Sequence, residues 1–156
     1  MSYRAENLDL NGPEPRSSHS VDPAQPSRSH PADGAPRAGS IWVDDTLLDC
    51  CNHAYDVASA HRAVDVRLEH LIYALTRNEA ASEILESHAC SVASLRREAA
   101  TVVATEIPAA PGNTRTQPRR TETVEEALRL AAAHAARREA PAGVADLLYV
   151  LLDSGR

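Results

Sequence analysis

Apolar residues recur at intervals of three and four positions along most of the chain after Asp44, which is the spacing of one face of an α-helix. Good N-capping residues, or residues that break a helix, separate these stretches. The pattern predicts six amphipathic helices. They begin near Asp44, Asp65, Glu79, Ser91, Thr121 (or Thr123) and Val144, and the fourth ends at Pro108.

One segment of this pattern is repeated. Glu69–Leu75 returns in altered form as Ala145–Leu151, 76 positions later. The same offset aligns Cys51 with Ala127, so the last two helices repeat the first two. An internal repeat usually means two copies of one structural unit that bury their apolar faces together. The prediction is an all-α, pseudo-twofold helical bundle whose second copy lacks counterparts of the third and fourth helices.

Composition divides the chain into parts. Residues 1–43 hold six of the ten prolines, three of the six glycines and seven serines, and show little apolar periodicity. Such a segment buries too little surface to offset the entropy of ordering, so a disordered tail is expected. The folded domain is expected over 44–156. Repeat one spans 44–107, a linker rich in proline spans 108–120, and partial repeat two spans 121–153.

Charge and residue types exclude several classes of function. The net charge of −6 is spread along the chain, which disfavours nucleic acid as a partner. All 16 basic residues are arginine, so neither a lysine-dependent phosphate loop nor a Schiff base can form. No stretch is apolar enough for a membrane span, and the N-terminus lacks the apolar core of a signal peptide. A cytoplasmic location is therefore expected.

The cysteines and histidines suggest neither catalysis nor metal binding. Cys50, Cys51 and Cys90 are an odd number, and the adjacent pair points in different directions from a helix, so they are expected to be reduced. Cys50 and His53 share a helix face, but the remaining cysteines and histidines do not have the spacing of a zinc site. No base is placed to activate a thiol. We expect no catalytic residue, no metal and no cofactor.

The two copies together resemble a known family. A helix carrying Cys51, Ala54 and Ala58, followed by the run Glu69–Leu75 and then repeated, is similar to the N-terminal domain of Clp-type AAA+ unfoldases. The resemblance covers about 44–153. It implies a non-catalytic protein-binding module whose partners are a Clp ATPase, an adaptor or a substrate peptide. The family's bundle has eight helices, and nothing resembling its ATPase modules follows here.

The resemblance also implies a ligand site. In relatives that recognise phosphorylated arginine, the glutamate equivalent to Glu69 binds the guanidinium group, helped by a threonine at the start of the first helix. Asp44 stands at the threonine position here, and His70 follows Glu69. The alternative for Glu69 is a stabilising role in the first helical turn, where the helix dipole favours a carboxylate. The alternative for His70 is a partly buried ring bonded to neighbouring backbone.

The shortened second repeat suggests a partner interface. If helices seven and eight are absent, the apolar stripes of the last two helices lose part of their cover, and an exposed apolar patch marks an interface. This patch would dock another helix or form a homo-oligomer. The residues assigned to it are Leu128, Leu147, Leu148 and Leu151.

Two other functional readings remain open at this point. The chain could be the regulatory N-terminal domain, or a fragment, of a larger Clp-type ATPase or other enzyme that continues beyond Arg156. It could also be a purely structural helical bundle without a peptide ligand.

Overall fold

A computed structural model describes residues 6–9, 40–112 and 117–154 of the chain. The described residues contain six α-helices, which confirms the predicted all-α fold. The first four form repeat one and the last two form repeat two. The helices are α1 (Asp45–Ala60), α2 (Leu68–Leu75), α3 (Glu79–Ser87), α4 (Val92–Thr105), α5 (Glu122–Ala136) and α6 (Val144–Asp153).

Within the described residues, four short strands accompany the helices. Strands β1 (Glu6–Asp9) and β2 (Ser40–Val43) form an antiparallel pair. Strands β3 (Asp65–Val66) and β4 (Arg119–Arg120) form a parallel pair. Because Ile41 and Val43 of β2 lie in the hydrophobic core, the folded domain begins before the predicted boundary at residue 44. The rest of the predicted tail, residues 1–5 and 10–39, lies outside the described residues.

The strands connect the two repeats crosswise. The segment before α1 bridges to the segment before α6, through Val43 and Ala142. The segment before α5 bridges to the segment before α2, through Arg120 and Val66. Each repeat therefore places the start of its first helix beside the start of the other repeat's second helix. This crosswise arrangement is the pseudo-twofold symmetry that the internal repeat predicted.

The buried positions of α1 and α5 show that the first helices of the two repeats align at a different offset from the predicted one. The buried residues of α1 are Leu47, Cys50, Ala54 and Ala58, and those of α5 include Val124, Ala127, Ala131 and Ala135. These positions differ by 77 residues. The second helices keep the offset of 76, because α5 has 15 residues and α1 has 16, while the connecting segments 61–67 and 137–143 are equal in length. Cys51 therefore corresponds to Leu128, whereas the repeat in the sequence had aligned it with Ala127.

The start of α2 also differs from the prediction. Asp65 was expected to cap this helix, but it belongs to β3, and α2 begins three residues later at Leu68. The backbone N–H of Arg67 donates instead to Nδ1 of His70, at 3.0 Å. His70, at the third position of the helix, thus accepts from the backbone N–H of the N-cap residue, which is the role that glutamate or glutamine has in a capping box.

Candidate functional site

A groove lies between α1 and α5, with a volume of about 100 Å³. Its apolar floor is contributed by α1, β3, α2 and α5. Its polar rim carries a thiol, an amide, a phenol and a guanidinium group. The floor consists of Ala54, Val66, Leu71, Val124 and Leu128, and the rim consists of Cys51, Asn52, Tyr55 and Arg120.

The two thiols beside this groove are unsuited to nucleophilic chemistry. Burial raises the pKa of Cys50 to about 12, and the neighbouring thiol and carboxylates add to that effect. Burial also raises the pKa of Cys51, to about 11, although the positive charge of Arg120 opposes the shift. A thiol with such a pKa is almost entirely protonated at neutral pH. Both cysteines therefore act here as small apolar residues.

Asp44 holds the start of α1 and lies beside the start of α6. Its carboxylate accepts a hydrogen bond from the backbone N–H of Leu47 at 2.7 Å, which makes it the N-cap of α1. Its own N–H donates to the carbonyl of Ala142 at 2.9 Å. A Cβ atom added to Gly143 would lie 2.7 Å from Asp44 Oδ2. Asp44 thus faces the second helix of the other repeat.

Glu69 lies in the first turn of α2 and is half-buried. The residue brought beside that turn is Thr121, the N-cap of α5, whose N–H donates to the carbonyl of Val66 at 3.1 Å. A threonine at the start of a first helix therefore pairs with the segment just before α2, and this threonine comes from the second repeat. Asp44, which stands at the family's threonine position in the sequence, lies instead beside Ala142 and Gly143 at the start of α6.

His70 is completely buried, which corrects its assignment as a ligand-contacting residue. Its Nδ1 accepts the hydrogen bond from Arg67, so Nε2 carries the proton. Burial lowers the pKa of His70, and the nearby charge of Glu69 offsets only part of that effect. The ring is a neutral structural element of the α2 start, because no atom of it reaches the surface.

Asp146 anchors an ionic cluster that the sequence analysis missed. Its buried carboxylate accepts hydrogen bonds from the N–H of Gly143 at 3.0 Å, from His134 Nδ1 at 2.6 Å and from Arg138 Nη2 at 2.9 Å. Burial alone would raise the pKa of Asp146, but these three bonds outweigh it and lower the pKa. Tyr149 stacks on His134 with ring centroids 4.5 Å apart. In the sequence, the i, i+4 spacing of His134 and Arg138 was the feature that could have indicated this cluster.

Three of the four leucines predicted to form an exposed partner patch are buried, and one of the three, Leu128, lines the floor of the groove. Leu128 and Leu147 are completely buried and Leu148 is 4% exposed, whereas Leu151 is half-buried. Contacts from α3 and β2 cover the helices of repeat two on this side, so the first repeat supplies the cover that the shortened second one lacks. The large apolar side chains that repeat two does expose are Leu130, Tyr149 and Leu152.

Two further properties concern only the part of the chain that the structure describes. No group of three or more histidine, cysteine, aspartate or glutamate side chains there has the geometry to hold a metal ion. Among the same residues, every helix is too short or too polar to cross a bilayer.

The solved structures with a similar fold include two that illustrate the likeness. A chain from preliminary structural investigations of a malarial protein secretion system superimposes with a TM-score of 0.60 at 19% identity, covering 70% of this chain and 75% of that chain. The N-terminal domain of Hsp104 from Candida albicans superimposes with a TM-score of 0.59 at 14% identity, covering 69% and 71%. At these identities the likeness concerns the fold.

No curated protein sequence matches the chain significantly. A family model does match, and it describes the Clp repeat (R) N-terminal domain. The match covers residues 44–156, which includes all six helices and most of the chain. The crosswise repeats, the helical bundle and this match agree with the resemblance found in the sequence. The chain therefore belongs to the family of Clp repeat N-terminal domains.

Proposed function

We propose that this chain is a non-catalytic module that recognises polypeptide segments for a Clp-type unfoldase, and that the groove between α1 and α5 holds a side chain of the bound segment. Membership of the Clp repeat N-terminal domain family is consistent with a protein-interaction module. The observation that carries the proposal is the groove itself, which combines an apolar floor with a polar rim.

The dimensions of the groove favour a peptide side chain over a small-molecule ligand. Sites for drug-sized molecules usually measure about 300–1,000 Å³, and this groove measures about 100 Å³. Its apolar floor suits one aliphatic or aromatic side chain. The rim offers the polar atoms of Asn52 and Tyr55, which are able to hydrogen-bond with the backbone of a bound segment.

Glu69 is proposed as a second contact for the same kind of partner. Its carboxylate makes no hydrogen bond or ion pair with the other described residues, and a carboxylate can pair with a planar guanidinium through two hydrogen bonds. An arginine of the partner, with or without a phosphoryl group, is the ligand that this chemistry fits. The partner would be an adaptor, a substrate or the ATPase itself, in the cytoplasm.

Binding of an unfolded protein tests the proposed function. Fluorescein-labelled casein would be titrated with the purified full chain and followed by fluorescence anisotropy. The variant Asn52→Trp places a large side chain at the rim of the groove, and we expect it to weaken binding about tenfold, which corresponds to ~1.4 kcal/mol. Ala133→Trp is the matched control, because Ala133 is exposed on α5 and does not line the groove.

The outcomes of this titration are distinct. Loss of affinity in Asn52→Trp alone supports the groove as the binding site. Equal affinities for the native chain and both variants would overturn that assignment. Absence of any binding by the native chain would favour a purely structural bundle.

A further inference from the structure

The hydrogen bonding of His70 requires the neutral form of its ring. Nδ1 accepts from the backbone N–H of Arg67 at 3.0 Å at the start of α2. Protonation would place an N–H on Nδ1 as well, facing the N–H of Arg67, and two donors cannot bond to each other. Within the described part of the chain, the other ring nitrogen, Nε2, is buried and has no hydrogen-bond partner. A positively charged ring is therefore incompatible with the observed start of α2.

The charges around this imidazole do not compensate for a buried cation. Burial is the largest cause that lowers its pKa. Glu69, in the same turn, favours the charged form, whereas Arg67 and His61, which follows α1, oppose it. Among the other groups on the packed helices, His53 of α1 stacks on a tyrosine of α2, and Arg96 of α4 binds a carbonyl at the C-terminal end of α2. Neither of these two groups offers an acceptor for a protonated ring.

The bond between Arg67 and His70 lies between two residues of the groove floor. Val66 directly precedes Arg67, and Leu71 directly follows His70. The carbonyl of Val66 also accepts from the N–H of Thr121, the N-cap of α5, which borders the groove. Loss of the α2 start would therefore displace two parts of the floor and weaken the pairing of β3 with β4.

We propose that His70 makes the start of α2 an acid-sensitive switch, in which proton uptake by the ring favours an open form with a disrupted groove floor. Since the ring is completely buried, the proton binds once the start of α2 has opened. The resulting imidazolium cannot accept the N–H of Arg67 again, so acid increases the population of the open form. The switch itself does not depend on the proposed function, whereas its effect on a bound segment rests on that function.

Proton linkage gives the size of the effect. Because burial lowers the pKa of His70, the closed form is favoured at neutral pH and loses this advantage as the pH falls below the pKa of the open form, which is about 6.5. At one pH unit below that value, protonation favours the open form by about tenfold while the closed form stays neutral. Asp146, at the equivalent position of repeat two, titrates at lower pH, since the fold lowers the pKa of an already acidic group.

Amide hydrogen exchange of the full chain, followed by NMR, tests the switch. The protection of the N–H groups of Arg67 and Leu71, corrected for the intrinsic pH dependence of exchange, should fall about tenfold between about pH 7.5 and about pH 5.5. The N–H of Gly143, which donates to Asp146, should keep its protection. Unchanged protection of Arg67, or an equal fall at Gly143, would overturn a switch located at α2.

A matched variant assigns the effect to one side chain. His70→Gln keeps an acceptor at this position of the capping box but cannot titrate, so the protection of Arg67 should be the same at both pH values. His88→Gln, at an exposed position after α3, is the control and should lose protection as the native chain does. A fall in protection that persists in His70→Gln would refute the role of His70. If circular dichroism shows that His70→Gln does not fold, the comparison of Arg67 with Gly143 in the native chain remains decisive.

Exchange in the presence of unlabelled casein tests the connection between the switch and the groove. A segment that needs the intact floor binds the closed form, so saturating casein should raise the protection of Arg67 and Leu71 severalfold at about pH 5.5. Bound casein that leaves this protection unchanged would overturn the connection and leave the switch. If casein does not bind at either pH, the proposed function fails, and the exchange of the free chain still tests the switch.

Discussion

Asp146 and His70 occupy equivalent positions in the two repeats, in the first turn of the second helix. Each accepts a hydrogen bond from the backbone N–H three residues earlier, that of Gly143 or that of Arg67. The two residues differ in charge. His70 does this as a neutral, buried ring, whereas Asp146 does it as a carboxylate that also binds the side chains of His134, in α5, and Arg138, just after α5. The acceptor for the backbone N–H at the helix start is thus an imidazole in repeat one and a carboxylate in repeat two.

The charge of Asp146 is expected to contribute measurably to stability. Asp146→Asn can still accept from Gly143, but it loses the charged interactions with His134 and Arg138, so it should destabilise the domain by about 1–3 kcal/mol. Denaturant unfolding followed by circular dichroism measures this change. Asp153→Asn, at an exposed position of the same helix, should leave stability nearly unchanged. Equal losses in both variants would contradict this role.

The contribution of Asp146 should also depend on pH. Because the fold lowers the pKa of Asp146, folding favours the ionised form, and the resulting stability is present at neutral pH. It is lost as the pH falls through the pKa of the folded state. The difference in unfolding free energy between the native chain and Asp146→Asn should therefore shrink on acidification below the ordinary aspartate range. A difference that grows on acidification would refute this linkage.

At the scale of elements, the start of α1 and the start of α6 are packed against each other and depend on the same side chain, Asp44. Asp44 caps α1 and simultaneously packs against the backbone of Gly143, where α6 begins. Gly143 has an ordinary negative φ, so its backbone conformation does not require glycine. Glycine is required because the Asp44 carboxylate lies where a Cβ atom would be. The absence of a side chain leaves room for the capping carboxylate of the other repeat.

Gly143→Ala should cost about 1 kcal/mol, because the new Cβ would displace the Asp44 carboxylate from the N–H of Leu47, and loss of an N-cap has that magnitude. Thermal and denaturant unfolding of four proteins measure it: the native chain, Gly143→Ala, Asp44→Ala and the double variant. In the Asp44→Ala background the glycine substitution should be nearly neutral. Additive losses of stability in the double variant would show that Asp44 and Gly143 are not energetically coupled.

At the scale of the whole molecule, one hydrophobic core joins both repeats. The core runs from β2 and α1 through α2 and α3 to α5 and α6. Leu71 and Leu147, at equivalent positions of α2 and α6, are both almost completely buried in it. Since the strands also connect the repeats crosswise, neither repeat has a core of its own.

A shared core predicts cooperative unfolding of the two repeats. Leu71→Ala and Leu147→Ala should each cost about 2–5 kcal/mol, and each should lower the stability of the whole bundle. Circular dichroism reports on all six helices, and the fluorescence of Trp42, the single tryptophan, reports on β2. The two signals should change in one coincident transition. Leu152→Ala, at an exposed position, is the control. Separate transitions for the two signals would contradict a single cooperative unit.

The sequence by itself determined the helices, the repeat and the family. Periodicity and capping residues act locally, so α3 begins at the predicted Glu79, and Thr121, one of the two candidates, caps α5. The acidic first turn containing Glu69 was visible for the same reason. These features depend on residues within a few positions of one another, and such patterns can be read directly along a chain.

Only the tertiary structure decided which residues meet. Thr121 comes beside the helix of Glu69, and Asp44 beside Gly143, because the strand pairings cross between repeats. Leu128, Leu147 and Leu148 are buried where α3 and β2 pack on the helices of repeat two. Arg120, one of a pair of arginines that look alike in the sequence, lines the groove while Arg119 does not. Contacts between distant segments depend on the geometry of the folded chain, which local periodicity does not contain.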